Sequence, residues 1–195
     1  VPINSSQWEE LNFLDSIIID AELDDSNWDT TILPGRFDNL VSEKFDGVFW
    51  FRKSFEIKNL KTDYYLRIGA IDDMDKTFVN GINIGGLLGH GFFNTPREMI
   101  IPSSILKKGI NTIAICAVDI GGEGRIKGPI QLSNISGELL SIEGQWKYKP
   151  IAEIYKGKFF IYNLDTDFLK RPIHLNVNQR FPNVLFNGMI SPIIP

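Results

Sequence analysis

Val48-Phe49-Trp50-Phe51-Arg52-Lys53-Ser54-Phe55-Glu56-Ile57 decides the fold. Aromatic and β-branched residues alternate with polar ones, so Phe49, Phe51, Phe55 and Ile57 share one face and Trp50, Arg52, Ser54 and Glu56 the other. A period of two is the signature of a half-buried strand. The same grammar returns in Tyr64 to Ala70, with Tyr64, Leu66 and Ile68 pointing inward. Thr77-Phe78-Val79-Asn80-Gly81-Ile82-Asn83-Ile84 then sets Asn-Gly between two apolar runs. Both turn residues tolerate positive φ, which favours a tight type I′ hairpin.

Further strands are expected at Glu98 to Ile101, Asn111 to Val118, Ile130 to Asn134 and Leu139 to Tyr148. Lys107-Lys108-Gly109 and Gly121-Gly122-Glu123-Gly124 punctuate them. Many short strands at near-regular spacing imply a mainly β, antiparallel sandwich. Before the strands, Ser6 with Glu9 forms a capping-box pattern, and a short N-terminal helix is expected over Ser6 to Leu14. The β-branched run Ile17-Ile18-Ile19 reads as helix or strand. The expected organisation is a connector and helix over 1–25, a sandwich over 26–150, and a further strand (Phe159 to Tyr162) with a connector over 151–195. The start at Val1, without Met or a signal-peptide pattern, reads as a processed chain or an excised piece.

Bulk properties narrow the function classes. At 195 residues the chain is long enough to bury a core without staples. Its formal net charge is -4, so it lacks the cationic footprint that binds nucleic acid or a membrane surface. No run of 18 apolar residues is present. The single cysteine, Cys116, lies in an apolar run and reads as a small core residue.

Several stretches carry a resemblance. Phe45 to Phe55 is similar to the "DGVVWYRKTF" strand of galactose-binding-like domains, and Gly69 to Gly81 to their "GAIDDMDTTWVNG" segment. Leu106 to Ala114 resembles "LKAGKNTIAVRV", and Asp119 to Gly128 resembles the "DxGGxGGIxG" loop that follows it. Related sandwiches form the sugar-binding domains of β-galactosidase- and β-glucuronidase-type glycosidases. The Asp72-Asp73-Met74-Asp75 version and the Gly-rich loop look more like the domain inserted in bacterial sialate O-acetylesterases. Pro182 to Pro192 resembles "PTVLYNGMIAPL", the point where that family re-enters its SGNH-type hydrolase domain. Arg125 departs from the family loop, which usually has Gly there, and Cys116 stands where Arg or Val is common. The resemblance implies a galactose-binding-like jelly roll, an intramolecular SGNH hydrolase domain as partner, and a periplasmic or extracellular location.

The chemistry of an esterase is missing from these residues. A Ser nucleophile needs a His base and an Asp orienting it. Neither the "GQSN" block nor the Asp-x-x-His block of the family is present, and the two histidines, His90 and His174, lie apart from any such pattern. No cofactor is implied. Asp72, Asp73 and Asp75 offer oxygens suited to calcium, but Lys76 follows directly, and acidic turns between strands are more often solvated caps. The Gly-rich loop lacks the Gly-Lys-Ser/Thr ending of a phosphate loop.

Sugar recognition needs a flat aromatic face with planar hydrogen-bonding partners. The candidate ligand-binding residues are Trp50 and Arg52 on the polar side of their strand, Asp72 and Asp73 at the end of the next, and Arg97, Asp119 and Arg125 on the same rim. The competing reading buries Trp50 and pairs Arg52 with Glu56 or an aspartate. The function expected is a non-catalytic carbohydrate-binding or docking domain of a sialate O-acetylesterase. The alternatives are a sugar-binding domain of a glycoside hydrolase and an interaction domain without ligand.

Overall fold

The structure is a computed structural model that describes residues 13, 15–89, 91–155 and 158–161. The strands are β1 (Asp29–Leu33), β2 (Gly35–Arg36), β3 (Gly47–Ile57), β4 (Tyr64–Ile68), β5 (Met74–Val79), β6 (Ile82–Gly85) and β7 (Arg97–Ile101). They continue as β8 (Gly109–Asp119), β9 (Arg125–Ile126), β10 (Ile130–Asn134), β11 (Leu139–Ser141), β12 (Gly144–Tyr155) and β13 (Lys158–Ile161). One short helix, α1 (Asp15–Ile18), precedes them. Of the helix expected over Ser6 to Leu14 only Phe13 is described, and the tail from Arg180 lies outside the described residues, as do His90 and His174.

Two antiparallel sheets face each other. The larger runs β1-β12-β3-β8-β5-β6, with β13 also on β12, and the smaller runs β11-β10-β4-β7. The chain passes from β3 in the large sheet to β4 in the small one, back to β5 and β6, over to β7, back to β8, over to β10 and β11, and returns as β12. This repeated switching of sheets is the jelly-roll pattern. The expected strand over Leu139 to Tyr148 is two strands in different sheets, β11 and β12, broken before Gly144, whose φ is +98°.

The interior between the sheets is built by the stripe read from β3. Phe49, Phe51, Phe55 and Ile57 meet Tyr64, Leu66 and Ile68 of β4, together with Met99, Ile101, Ile130 and Leu132. Phe49 and Phe51 stack at 6.0 Å, and Phe37 tilts against both at 5.2 and 5.5 Å. Each such side chain contributes about 1.5–3 kcal/mol on burial. The Asn80-Gly81 hairpin forms as expected. Val79 pairs with Ile82, and φ is +48° at Asn80 and +82° at Gly81, where a glycine adopts this conformation without penalty. The Asn80 amide also ties the turn to Asn111 at 2.8 Å.

The opposite side of β3 differs from the half-buried strand of the sequence reading. Along Gly47 to Arg52 both faces are buried. A second apolar cluster joins Val48, Trp50, Phe78, Cys116 and Val118 to Phe13, Ile18 and Trp28, with Leu23 packed against it. The stretch ahead of the first strand is therefore a cover on the large sheet. Among the described residues, no helix is long and apolar enough to cross a membrane.

Candidate functional site

The first two candidate residues lie under that cover. Trp50 is fully buried, its indole N–H donating to the Phe13 carbonyl at 2.9 Å and its ring 5.7 Å from Phe78. Arg52 is 2% exposed. Its Nε donates to Asp25 Oδ2 at 2.9 Å, Nη2 to the Asp20 carbonyl at 3.0 Å, and Nη1 to the Ile18 carbonyl. The placement of both on a solvent-facing polar side is thus corrected: a segment distant in sequence covers that side. Arg52 pairs with an aspartate, the second of the alternatives. Neither residue offers an aromatic or cationic face to solvent.

Arg97, at the start of β7, is also buried. Its Nε donates to Asp75 Oδ1 at 2.7 Å and Nη2 to the Ile71 and Asp73 carbonyls at 2.8 and 3.2 Å. Nη1 donates to the Phe92 carbonyl at 2.9 Å and to that of Thr95. One guanidinium thus ties β5 of the large sheet to β7 of the small one, beneath the Asp72-Asp73 turn. Burial pushes the Asp75 carboxyl up, and the Arg97 charge pulls it back. The Asp75 carboxylate is taken up by Arg97, the Thr77 hydroxyl and the Leu87 N–H. Among the described residues, no group of three or more His, Cys, Asp or Glu side chains is placed to hold a metal ion.

Asp72, Asp73, Asp119 and Arg125 do come together, at one end of the sandwich. The Asp72 N–H donates to the Arg125 carbonyl at 3.0 Å and the Asp73 N–H to the Val118 carbonyl at 2.8 Å. The Ile120 N–H in turn donates to Asp73 Oδ2 at 2.8 Å. Ile71 bridges Ile126, so the turn and the Gly-rich loop form one unit. Asp119 closes the loop by accepting the Gly121 N–H on Oδ1 at 2.9 Å. Its other oxygen, Oδ2, is buried without a hydrogen-bond partner. Gly124 lies against it: a Cβ there would stand 2.3 Å from Asp119 Oδ2 and 2.8 Å from Phe37.

The sequence reading missed several members of this rim. The Phe37 N–H donates to the Gly124 carbonyl at 2.9 Å, anchoring the loop to the strand β2 side. Arg36 forms a two-toothed pair with Asp38, at 3.0 and 2.6 Å, and reaches Glu123 at 3.5 Å. Glu123 also meets Arg125 at 3.2 Å. Asp46, just before β3, adds a further carboxylate. Its only signal was its place in the Phe45-Asp46-Gly47 stretch, because nothing local reveals that it faces Asp73 and Asp119.

Crowded carboxylates in a partly dry site hold protons more tightly. Burial first, then the charges of Asp46, Asp73 and Asp72, push Asp119 up to about 7, against the opposing Gly121 N–H. Burial, then the charge of Asp73 and the hydrogen bond that the protonated Asp72 carboxyl donates to it, push Asp72 up to about 6, while Lys127 and Arg125 oppose. Burial, Asp38 and Asp73 raise Asp46. The end therefore offers carboxylates, a carboxylic acid near neutrality and guanidinium groups, a donor and acceptor set suited to hydroxyl-rich or polar partners. Among the described residues it holds no nucleophile beside a base.

No family model and no curated protein matches the chain. Solved structures similar to it include a β-glucuronidase of Bacteroides uniformis, 21% identical over 67% of this chain and 15% of that one, with a TM-score of 0.45. A β-glucuronidase from an uncultured Clostridium sp. is 14% identical over 72% of this chain and 26% of its own, with a TM-score of 0.44. An α-L-rhamnosidase of Streptomyces avermitilis, in complex with L-rhamnose, is 16% identical over 53% and 10%, with a TM-score of 0.41. The chain spans about a quarter or less of each of these three.

Proposed function

We propose that this chain is a non-catalytic accessory sandwich of a carbohydrate esterase of the sialate O-acetylesterase type, acting outside the cytoplasm. Its loop end, with Asp46, Asp72 and Arg125 at the surface and Asp119 buried beneath them, faces the glycan or the entrance of a neighbouring SGNH hydrolase domain. One observation carries the reading. The two stretches that resemble that family, Gly69 to Gly81 and Asp119 to Gly128, are far apart in sequence yet knit into a single rim by the Asp72–Arg125, Asp73–Val118 and Ile120–Asp73 hydrogen bonds. Loops on a rigid sandwich are where binding groups concentrate.

The test is a titration of the chain with 9-O-acetylated sialyllactose, followed by amide NMR, beside an acetyl-ester hydrolysis assay. Weak binding that shifts Asp46, Asp72 and Arg125, with no hydrolysis, is expected. Hydrolysis above background that disappears on replacing a single serine would overturn the non-catalytic reading. In the parent gene, a GQSN block upstream and an Asp-x-x-His block downstream are expected; a retaining-glycosidase domain there would instead make the chain a glycosidase module.

A further inference from the structure

The outward face of the small sheet is organised in two rows. Leu139, Ser133, Tyr65 and Ile100 are register partners from one edge to the other. The adjacent row carries Gln131, Arg67 and Glu98 in the same register. Side chains two apart on a strand share a face, so both rows project away from the core that Leu66, Leu132 and Met99 enter. Tyr65 is 46% exposed and Ile100 55%. A groove of about 410 Å³ runs between the rows, lined by Tyr65, Arg67, Glu98, Ile100, Gln131 and Ser133. That volume falls within the ~300–1,000 Å³ of small-molecule sites.

The geometry points to a second, sheet-face carbohydrate site in which a neutral hexopyranose or pentopyranose of an oligosaccharide stacks on Tyr65 and is hydrogen-bonded by Arg67, Glu98 and Gln131. This goes beyond the loop-end reading and does not depend on it. The occupant follows from the chemistry of the rows. A sugar ring has an apolar C–H face and an equator of hydroxyls. Here an aromatic ring lies in the row next to a planar guanidinium, carboxylate and amide, two residues along the strands. Arg67 and Glu98 stand 3.6 Å apart and cancel in charge, which matches an uncharged ligand and gives no attraction to a carboxylate or phosphate. A protein partner needs about 800 Å² per side with an apolar centre, whereas the apolar row here is one residue wide. The site sits on rigid strands, not on the loops, so little ordering is needed on binding.

The test uses the full chain labelled with nitrogen-15 and titrated separately with xylohexaose, cellohexaose and galactotetraose, with 3′-sialyllactose as the charged comparator. At least one neutral probe is expected to shift amides of β4, β7 and β10 with millimolar affinity. Tyr65→Thr, which keeps the β-propensity of an exposed strand site, is expected to weaken that binding by about tenfold while the remaining amide spectrum stays folded. Arg67→Gln and Gln131→Ala provide independent variants should Tyr65→Thr unfold, each with a several-fold loss expected. Absence of shifts on this face with every neutral probe overturns the proposal. So does stronger binding of 3′-sialyllactose there, or shifts on β4 and β7 that follow protein concentration alone, which would mark self-association. Loop-end shifts at Asp46, Asp72 and Arg125 report separately on the accessory-domain reading, so either can fail alone.

Discussion

Replacing Asp119 with Asn should flatten the pH dependence of stability. The folded chain holds the Asp119 carboxyl at about 7, against an ordinary value of 3.8. Because its folded value is raised, the folded chain binds the proton more tightly than the unfolded one. Stability from this group is therefore full below about pH 4, falls as pH rises through the window up to about 7, and stays low above it. The span from 3.8 to about 7, at about 1.36 kcal/mol per pH unit, makes the change on the order of 4 kcal/mol. Asp119 is fully buried, so solvent screening removes little of it. Asn keeps an oxygen for the Gly121 N–H and cannot ionise. Urea unfolding followed by tryptophan fluorescence should show Asp119→Asn gaining about 2–4 kcal/mol over the parent between about pH 4 and about pH 8. Parallel stability profiles for the two proteins across that range would refute the assignment of a dry, proton-holding carboxyl.

Gly124→Ala should destabilise by about 1–3 kcal/mol, because its Cβ meets Asp119 and Phe37 in a closed space; urea midpoints measure it. Arg52→Ala should cost about 3 kcal/mol by leaving Asp25 without its cation and two carbonyls without a donor, read by thermal unfolding. Asp75→Asn should cost about 3–5 kcal/mol, since it strands the Arg97 guanidinium in the interior. A change under 1 kcal/mol in calorimetry would show that water reaches that pair.

Strands that bury one face were legible. Tyr64 to Ile68 alternates buried and exposed along its length, as its sequence implies, and Ile130–Asn134 falls where expected. The short β1, β2 and β9 were not, because two to five residues, few of them apolar, are too short a run to show a period, and they owe their pairing to neighbours brought by the fold. Trp50 and Arg52 misled for a related reason. Alternation tells which side chains share a face, not whether a distant segment covers it, and their partners lie 27 to 37 residues away. The rim was half visible. Asp72, Asp73, Asp119 and Arg125 stood in recognisable stretches, whereas Asp38 and Asp46 became neighbours only when strand ends met.

The strip of chain laid over the outer side of the large sheet makes Cys116 a natural reporter. The thiol is 1% exposed and sits in the same cluster as Phe13 and Ile18, and burial raises its proton affinity. That strip is contiguous in sequence and threads through no strand, so it can detach as one unit while both sheets stay paired. A thiol-labelling reagent would then be paced by how often the strip lifts. Arg52→Ala should quicken labelling far more than substitutions between the sheets of equal cost, which turns a lone cysteine into a clock for one local opening.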